Sequence, residues 1–296
     1  MVRPFRFGFN PETAASNAFQ SKPEIDSSEV AAKAREEFDR MVGQLLESGV
    51  DVLVVEETGE HDTPDSVFPN NVFSTHPDGT LCVYPMESRA RRLERAIIPN
   101  ICELISVTRT VDFTSFEEEG RFLEGTGSLV LDHDRKLAFA CLSSRTDERV
   151  LDVWCEQLGY ERFVFVARDQ AGKRIYHTNV MMCLGLDFAV ACVDCIEGVE
   201  TQEAFRNKIR ETGRKLVEID FEQMNSFAGN MIQVKSKSGS PILLMSESAY
   251  RSLTGGQLET LGLLTEISSF SIPTIEESGG GSVRCMVAEL FEATQE

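Results

Sequence analysis

One local pattern recurs five times along this chain: a few polar residues or glycines lead directly into a short apolar run. Successive runs begin 56, 52, 51 and 54 residues apart, although the five segments share little sequence identity. Even spacing of this kind predicts a structure built from repeated units. The alternative is an ordinary α/β sheet in which the spacing is coincidental. The five runs begin at Val72, Ser128, Val180, Met231 and Cys285.

The intervals between these runs share a second pattern: another apolar run, a stretch with helical periodicity, and a third apolar run. The predicted helices span residues 28–47, 87–105, 146–159, 200–212 and 247–263, with Thr146 and Gly159 as the ends of the third. The first helix and the run VDVLVV after it complete the fifth unit if the chain is read as a circle. The sequence therefore predicts five ββαβ units whose strand starts meet around one axis and offer their leading residues to one pocket.

The charge balance excludes several classes of partner. The 296 residues include 29 Lys and Arg against 48 Asp and Glu, a formal net charge of −19. Nucleic acids and anionic membranes are bound by clustered positive charge, so neither partner is expected. No segment approaches the roughly 20 apolar residues that cross a bilayer, and the N-terminus lacks the apolar core of a secretory signal. We therefore expect a cytoplasmic protein.

The cysteines and histidines do not predict a metal site. Most of the eight cysteines lie inside apolar runs, where a reduced cysteine packs as a small core residue. The one close pair, Cys192 and Cys195, lies in a predicted strand and is a weak candidate for redox or zinc chemistry. The four histidines show no paired ligand spacing, so neither a metal nor a cofactor is expected.

Cys285 differs from the other cysteines in the residues that precede it. It follows SGGGSVR, in which the glycines permit close backbone approach and Arg284 adds a positive charge. Exposed main-chain N–H groups and nearby positive charge favour the thiolate, which is the nucleophilic form of cysteine. The alternative is a core cysteine that opens one more buried strand.

A histidine and a carboxylate occupy equivalent positions in two other units. His177 lies in YHTN and Glu124 in LEGTG, so the repeat brings both towards Cys285. A thiol nucleophile needs a proton-transfer partner, and a carboxylate can orient such a histidine. A histidine satisfied in the core and a carboxylate at the end of a loop are the alternatives.

Further polar residues lie beside the same turns. Asp65, Asn71 and Asn179 precede strands and face the predicted pocket, although asparagine before a strand is also common turn chemistry. Arg145 lies just ahead of a helix and carries the planar fork that binds a carboxylate, although a surface arginine is the simpler interpretation. The basic residues at 89–95 are interpreted as one face of a helix.

Six segments together carry a likeness to one enzyme family: PDSVFPNNVFSTHPDGTLCVYPM, LEGTGSLVLD, CLSSRTDER, IYHTNVMMCLG, FAGNMIQV and GGGSVRCMVAE. They resemble the guanidine-modifying superfamily of pentein propellers, which includes arginine deiminases, amidinotransferases and dimethylarginine dimethylaminohydrolases. The likeness runs from about residue 10 to 291 and is greatest to the branch of citrulline utilization hydrolases. It implies a five-bladed, pseudo-symmetric α/β propeller of ββαβ repeats, in agreement with the spacing of the runs. It also implies one catalytic domain over residues 1–296 that acts on a small amino-acid substrate. A homo-oligomer is compatible with it.

The resemblance also implies roles for individual residues. It makes Cys285 the nucleophile, His177 the general acid/base and Glu124 its acidic partner. Arg145 lies where relatives bind the substrate carboxylate, and Asp65 matches the first aspartate of the family's PD-x-x-x-x-x-D pattern.

Two positions depart from the pattern of the guanidine-modifying relatives. Asn71 and Asn179 occupy positions at which those relatives carry aspartates that bind a guanidinium cation. Two amides leave a buried cation uncompensated, at a cost of several kcal/mol. A neutral ureido group suits the mixed donors and acceptors of an amide. The two asparagines therefore favour citrulline over arginine.

The predicted reaction is hydrolysis of citrulline to ornithine, CO2 and ammonia through a covalent Cys285 intermediate. Arg284 or main-chain N–H groups are expected to stabilise the developing charge. The nearest alternative is an arginine deiminase or dimethylargininase that forms citrulline, and an amidinotransferase is a more distant one. A catalytically inactive sensor of arginine or citrulline is the alternative outside enzymes. Residues 8–24 and 61–66 are the candidate lids.

Overall fold

The computed structural model describes residues 1–14, 16–57 and 59–291, and its strands form five small sheets. Four of the sheets have three strands and the fifth has two. The strands are β1 (Val2–Arg3), β2 (Val55–Glu56), β3 (Phe73–Thr75), β4 (Thr80–Val83), β5 (Arg109–Asp112), β6 (Leu129–Asp132), β7 (Leu137–Cys141), β8 (Glu161–Phe165), β9 (Met182–Leu184), β10 (Phe188–Ala191), β11 (Lys215–Glu218), β12 (Ile232–Lys235), β13 (Pro241–Ser246) and β14 (Glu266–Phe270).

All four three-stranded sheets have the same connectivity. The second strand along the chain lies in the middle, antiparallel to the first and parallel to the third. A helical connection joins each parallel pair, because parallel neighbours need a long crossover. These ββαβ units confirm the predicted repeat, and the fold is a five-bladed α/β propeller.

The fifth sheet is smaller than the sequence predicts. Strand β1 pairs parallel with β2 through Val2 and Val55, with the first long helix between them in sequence. Only Val55, the last residue of VDVLVV, and the following Glu56 enter this ladder. The segment after Cys285 forms no strand within the described residues. That segment is held instead by side chains, since the Thr75 hydroxyl donates to the Glu289 carbonyl at 2.8 Å.

The helices lie mainly in the crossovers. They are α1 (Pro11–Ala14), α2 (Ser27–Glu47), α3 (Arg89–Arg92), α4 (Ile98–Leu104), α5 (Gly125–Ser128), α6 (Glu148–Leu158), α7 (Thr178–Met181), α8 (Val199–Glu211), α9 (Phe221–Asn225), α10 (Glu247–Ser252), α11 (Gly255–Gly262), α12 (Pro273–Gly279) and α13 (Val283–Met286). Segments of 3-10 helix cover Pro69–Asn71, Leu93–Ile97, Thr114–Glu119 and Val193–Cys195. No helix of the described residues is long and apolar enough to cross a membrane.

Two predicted helices are broken in the structure. The stretch 87–105 divides into α3, a 3-10 turn and α4, and a proline lies in the first turn of α4, where its missing N–H costs least. The stretch 247–263 divides at Thr254, which caps α11 reciprocally with Gln257. The third predicted helix begins one residue later than expected. Its N-cap is Asp147, whose carboxylate accepts from two main-chain N–H groups, and Thr146 is not the cap.

Helix α6 shows how the blades are held together. Its buried side chains recur at helical spacing and include Val150, Leu151 and Trp154. They pack in one cluster with residues from two neighbouring sheets, among them Ala138 and Val111. Burial of each large apolar side chain contributes about 1.5–3 kcal/mol, so the helices stabilise the contacts between blades as well as within them.

The polar residues ahead of the first strands form short helical turns. Pro69–Asn71, α5, α7 and α13 each occupy a single turn, and the turn Pro69–Asn71 contacts both α5 and α13. Helix α5 in turn contacts α7. The turns therefore meet at the centre of the fold, as the repeat predicts. Gly125 makes one of these contacts possible, because its φ is +47° and a Cβ there would lie 2.3 Å from the Asn70 carbonyl oxygen.

This close approach predicts a large effect of Gly125→Ala on stability. The substitution adds a backbone clash to the strain of a positive φ, and we expect the free energy of unfolding to fall by about 3 kcal/mol. Gly120→Ala is the matched control, because Gly120 has a φ of +66° with open space around its Cβ position. It should cost only about 1 kcal/mol. Urea denaturation of both variants measures the difference, and equal losses would contradict the argument.

Candidate active site

Cys285 lies in the axial turn α13, with its thiol beside two amide groups. The side chain is 6% exposed. The sulfur lies 3.4 Å from Asn179 Nδ2 and 3.3 Å from Asn230 Nδ2. No carboxylate forms a hydrogen bond to this sulfur among the described residues. The thiol is thus enclosed by neutral N–H donors.

His177 and Glu124 form a buried pair on the neighbouring turns. Each is the residue at the N-cap position of its turn, His177 for α7 and Glu124 for α5. His177 Nε2 lies 2.9 Å from Glu124 Oε2. The other carboxylate oxygen, Oε1, accepts from the main-chain N–H of Glu87 at 3.0 Å. The carboxylate is therefore fixed from both sides and orients the imidazole.

Burial and neighbouring charges lower the pKa values of both His177 and Glu124. Burial lowers the pKa of His177 to about 4, although Glu124 acts in the opposite direction. Burial by itself would raise the pKa of Glu124, but Arg145, His177 and Arg91 together lower it to about 2. At neutral pH the histidine is neutral and the glutamate ionised. The ionised oxygen needs a donor, so Nε2 carries the proton and Nδ1 is left as the basic nitrogen.

Arg145 is buried against the N-terminal segment. Its Nη2 donates to the Thr13 carbonyl at 3.1 Å and its Nε to the Ser16 hydroxyl at 3.1 Å. Its Nε also lies 3.3 Å from Glu87 Oε2, and its Nη1 lies 3.6 Å from Glu124 Oε2. The guanidinium thus ties the predicted lid at 8–24 to the Glu124 side of the site.

Arg91 organises a second group of buried charges. It forms a bidentate ion pair with Glu94, at 3.0 Å through both Nε and Nη2. Its Nη1 donates to Asn71 Oδ1 at 2.7 Å, and the same guanidinium lies 3.9 Å from Asp65 and 4.0 Å from Glu124. The stretch 89–95, interpreted from the sequence as one face of a helix, divides between α3 and a 3-10 turn, and its Arg91 is 3% exposed.

Two of the predicted site residues carry a buried acceptor atom that has no protein partner in the described structure. Asp65 Oδ2 accepts from Asn10 Nδ2 at 2.7 Å, but Asp65 Oδ1 has no partner. Asn179 Oδ1 has none either, while its Nδ2 contacts the thiol. Burial raises the pKa of Asp65. Because an unsatisfied buried acceptor costs about 1–3 kcal/mol, both atoms are suited to receive N–H donors from a ligand.

The structure brings together most of the predicted site residues, but not all in the expected way. Asn179 contacts Cys285, whereas Asn71 is bonded to Arg91 and the main chain of Glu124. In the part of the chain that is described, no hydrogen bond joins the two asparagines. Arg284 does not face the thiol: it donates to the Val287 carbonyl at 2.9 Å and pairs with Glu289 at 2.9 Å. Its expected role at the developing charge is not supported.

Asn230 is a contact of the thiol that the sequence did not indicate. The segment FAGNMIQV marks the fourth repeat, yet asparagine before a strand is too common to single out. The repeat spacing was the signal that could have identified it, because Asn230 precedes its strand as Asn71 does in the first unit. Over the described ranges no group of three or more His, Cys, Asp or Glu could hold a metal ion.

Comparison with known proteins identifies a family. Residues 3–292 match the family described as N,N dimethylarginine dimethylhydrolase, eukaryotic. No curated protein matches the sequence.

Solved structures share the fold at low sequence identity. The N-terminal domain of the cyanobacterial arginine dihydrolase ArgZ, bound to substrate, matches with a TM-score of 0.77 and 15% identity over 100% of this chain and 98% of its own. Full-length apo ArgZ gives the same score and identity over 99% of this chain, which spans only 40% of that protein. A dimethylarginine dimethylaminohydrolase adduct with 4-chloro-2-hydroxymethylpyridine gives 0.61 and 16% identity over 86% and 90% of the two chains.

The acidity of His177 predicts how stability depends on pH. The unfolded chain binds a proton near pH 6.5, whereas the folded chain does so only near pH 4. The contribution of His177 to the free energy of unfolding is therefore fully present above pH 6.5 and is lost as the pH falls towards 4. Between pH 6.5 and 4.5 this one group removes about 2 kcal/mol. His177→Asn should lose correspondingly less over that window in urea denaturation at the two pH values. If His177→Asn lost as much free energy of unfolding between the two pH values as the unmodified protein does, the assignment would be contradicted.

Proposed function

The chain belongs to the eukaryotic N,N dimethylarginine dimethylhydrolase family, and from this premise we propose that it is a cysteine hydrolase that converts citrulline to ornithine, CO2 and ammonia. The observation that carries the proposal is the neutral surrounding of the thiol. Asn179 and Asn230 contact the sulfur, and the unpartnered Oδ1 of Asn179 can accept from a ureido N–H. Asn71 Oδ1 accepts a hydrogen bond from Arg91, so the contribution of Asn71 to the substrate preference is indirect.

The first half of the proposed reaction forms a covalent intermediate. The proton of the Cys285 thiol moves to Nδ1 of neutral His177, and the thiolate attacks the ureido carbon. The bond from that carbon to the δ-nitrogen breaks, and the protonated His177 returns its proton to this nitrogen, so that ornithine leaves as an amine. Glu124 stabilises the imidazolium in between, through the 2.9 Å contact to Nε2.

The second half releases the carbamoyl group. A water molecule gives a proton to His177 Nδ1 and attacks the thioester carbon, and the carbon–sulfur bond breaks to return the Cys285 thiolate. Carbamic acid leaves and decomposes to CO2 and ammonia, and the protonated His177 returns its proton to the Cys285 thiolate. His177 thus acts as a base towards the thiol, as an acid towards the leaving δ-nitrogen and as a base again towards water, and its neutral resting state permits the first of these steps.

A second candidate substrate is arginine, and Asp65 favours it. The buried Oδ1 of this carboxylate has no partner, and a guanidinium would supply both the missing donor and a compensating charge. The arginine dihydrolase ArgZ, which shares the fold, is named for that substrate. Arg145 is proposed to bind the substrate carboxylate by exchanging one of its present partners. These are Thr13, Ser16 and Glu87 at Nη2 and Nε, and Glu124 Oε2 at 3.6 Å from Nη1.

Product analysis distinguishes the candidates. The purified protein is incubated with citrulline and separately with arginine, and the products are identified by mass spectrometry. Ornithine from citrulline is the expected result, and Cys285→Ser should abolish it while circular dichroism shows the fold intact. Ornithine or citrulline from arginine alone would reject the substrate assignment. Full activity of Cys285→Ser would reject the nucleophile.

Substitution of Asn179 tests the amide argument directly. Asn179→Asp places a carboxylate where a guanidinium could pair with it, so the ratio of kcat/KM for arginine to that for citrulline should rise about tenfold. Asn71→Asp is the matched control. Its new charge would pair with Arg91, which already donates to Asn71 Oδ1 at 2.7 Å, so the ratio should change much less. A larger change in the control would contradict the assignment of Asn179.

A further inference from the structure

We propose that Asn230 is a catalytic residue whose amide N–H stabilises the Cys285 thiolate, an inference that rests on the proposed function of Cys285 as nucleophile. Asn230 is 1% exposed and lies in the fourth axial segment, two residues before the start of β12. Its side chain reaches the sulfur from a different blade than α13, which carries the thiol. The contact therefore depends on the closed arrangement of the repeats.

The hydrogen bonds of Asn230 fix the orientation of its amide. Nδ2 donates to the Asn179 carbonyl oxygen at 3.0 Å, and only the NH2 end of an amide can make that contact. The same nitrogen lies 3.3 Å from Cys285 Sγ, so its second hydrogen is available to the sulfur. Oδ1 lies 3.6 Å from the sulfur and can accept from the neutral thiol. Asn230 thus has a partner atom for each protonation state of Cys285.

Apart from the two amides, few groups near Cys285 could stabilise a negative charge on its sulfur. Arg284, the cationic residue next in sequence, is paired with Glu289. Among the described residues, the side-chain N–H donors that reach the sulfur are those of Asn179 and Asn230. A buried thiolate without donors would be strongly disfavoured, because burial penalises an unpaired charge. The two amides together form a small anion site at the nucleophile.

The role fits both halves of the proposed reaction. When the thiol proton moves to His177 Nδ1, negative charge appears on the sulfur, and Asn230 Nδ2 donates to it. When the carbon–sulfur bond breaks in the second half, the bonding pair returns to the sulfur beside the same donor. No oxidant or further reactant is involved. Asn230 also contacts the backbone of Asn179, so a purely structural role has to be separated from the catalytic one.

Two variants of Asn230 make that separation. Asn230→Asp keeps the shape but replaces the donor by a negative charge, and Asn230→Ala removes the side chain. The rate of alkylation of Cys285 by iodoacetamide is followed by peptide mass spectrometry across a pH series. The ultraviolet absorbance of the thiolate is recorded in parallel, with the matching Cys285→Ser variants as background. Asn225→Ala is the control, because Asn225 is exposed in α9.

We expect alkylation near pH 7 to slow about tenfold in Asn230→Ala and further in Asn230→Asp, because a hydrogen bond to a charged group is lost and then replaced by repulsion. Raising the pH should restore both rates, and the thiolate absorbance should appear at higher pH in the same order. The control should match the unmodified protein. If the role of Asn230 were only structural, alkylation of Cys285 would slow equally in both variants and would not recover at high pH.

Two failures can be told apart. If Cys285 of the unmodified protein is alkylated no faster than its other thiols, the proposed function fails at its nucleophile. If Cys285 is selectively reactive but both Asn230 variants keep the rate and the thiolate absorbance of the unmodified protein, the inference about Asn230 alone is overturned. Asn230→Asp preserves the size of the side chain, so this comparison survives a folding defect in Asn230→Ala.

Discussion

The convergence of short polar turns on one axis is the constraint on which the rest of this structure depends. The polar groups on these turns are buried where the turns touch, and most of them bind one another. The Glu124–His177 pair, the amides beside Cys285 and the guanidinium of Arg91 are examples. The blades behind the turns consist of ordinary apolar packing and serve to hold them in contact.

The charges in this centre are unevenly distributed. Arg91 and Arg145 lie with the carboxylates on the side of Glu124, while the sulfur of Cys285 is surrounded by amides. The ionised Glu124 keeps the nearby histidine oriented, and burial keeps that histidine neutral. A site divided in this way can shuttle one proton at the histidine while a neutral, polar group of the substrate lies at the thiol.

Much of the fold could be predicted from the sequence because the repeat is periodic. The strand runs and most helices follow from local patterns, and short single turns do not. The predicted helix boundaries are wrong where another side chain caps the helix. Asp147 and not Thr146 is the N-cap of α6, and the Thr254–Gln257 capping box divides one predicted helix into two. Arg91 is buried, and Glu94, Asn71 and the Phe68 carbonyl accept its hydrogen bonds there.

The sequence by itself determined the five-fold repeat, the enzyme family and which turns carry Cys285, His177 and Glu124, because periodicity and residue type are local properties. Only the tertiary structure decided which polar atoms meet. It paired Asn179 rather than Asn71 with the thiol, and it brought Asn230 to the sulfur from another blade. Partner choice depends on angstrom-scale distances between residues that are 106 and 55 positions apart in these two contacts, and no local pattern in the chain encodes such distances.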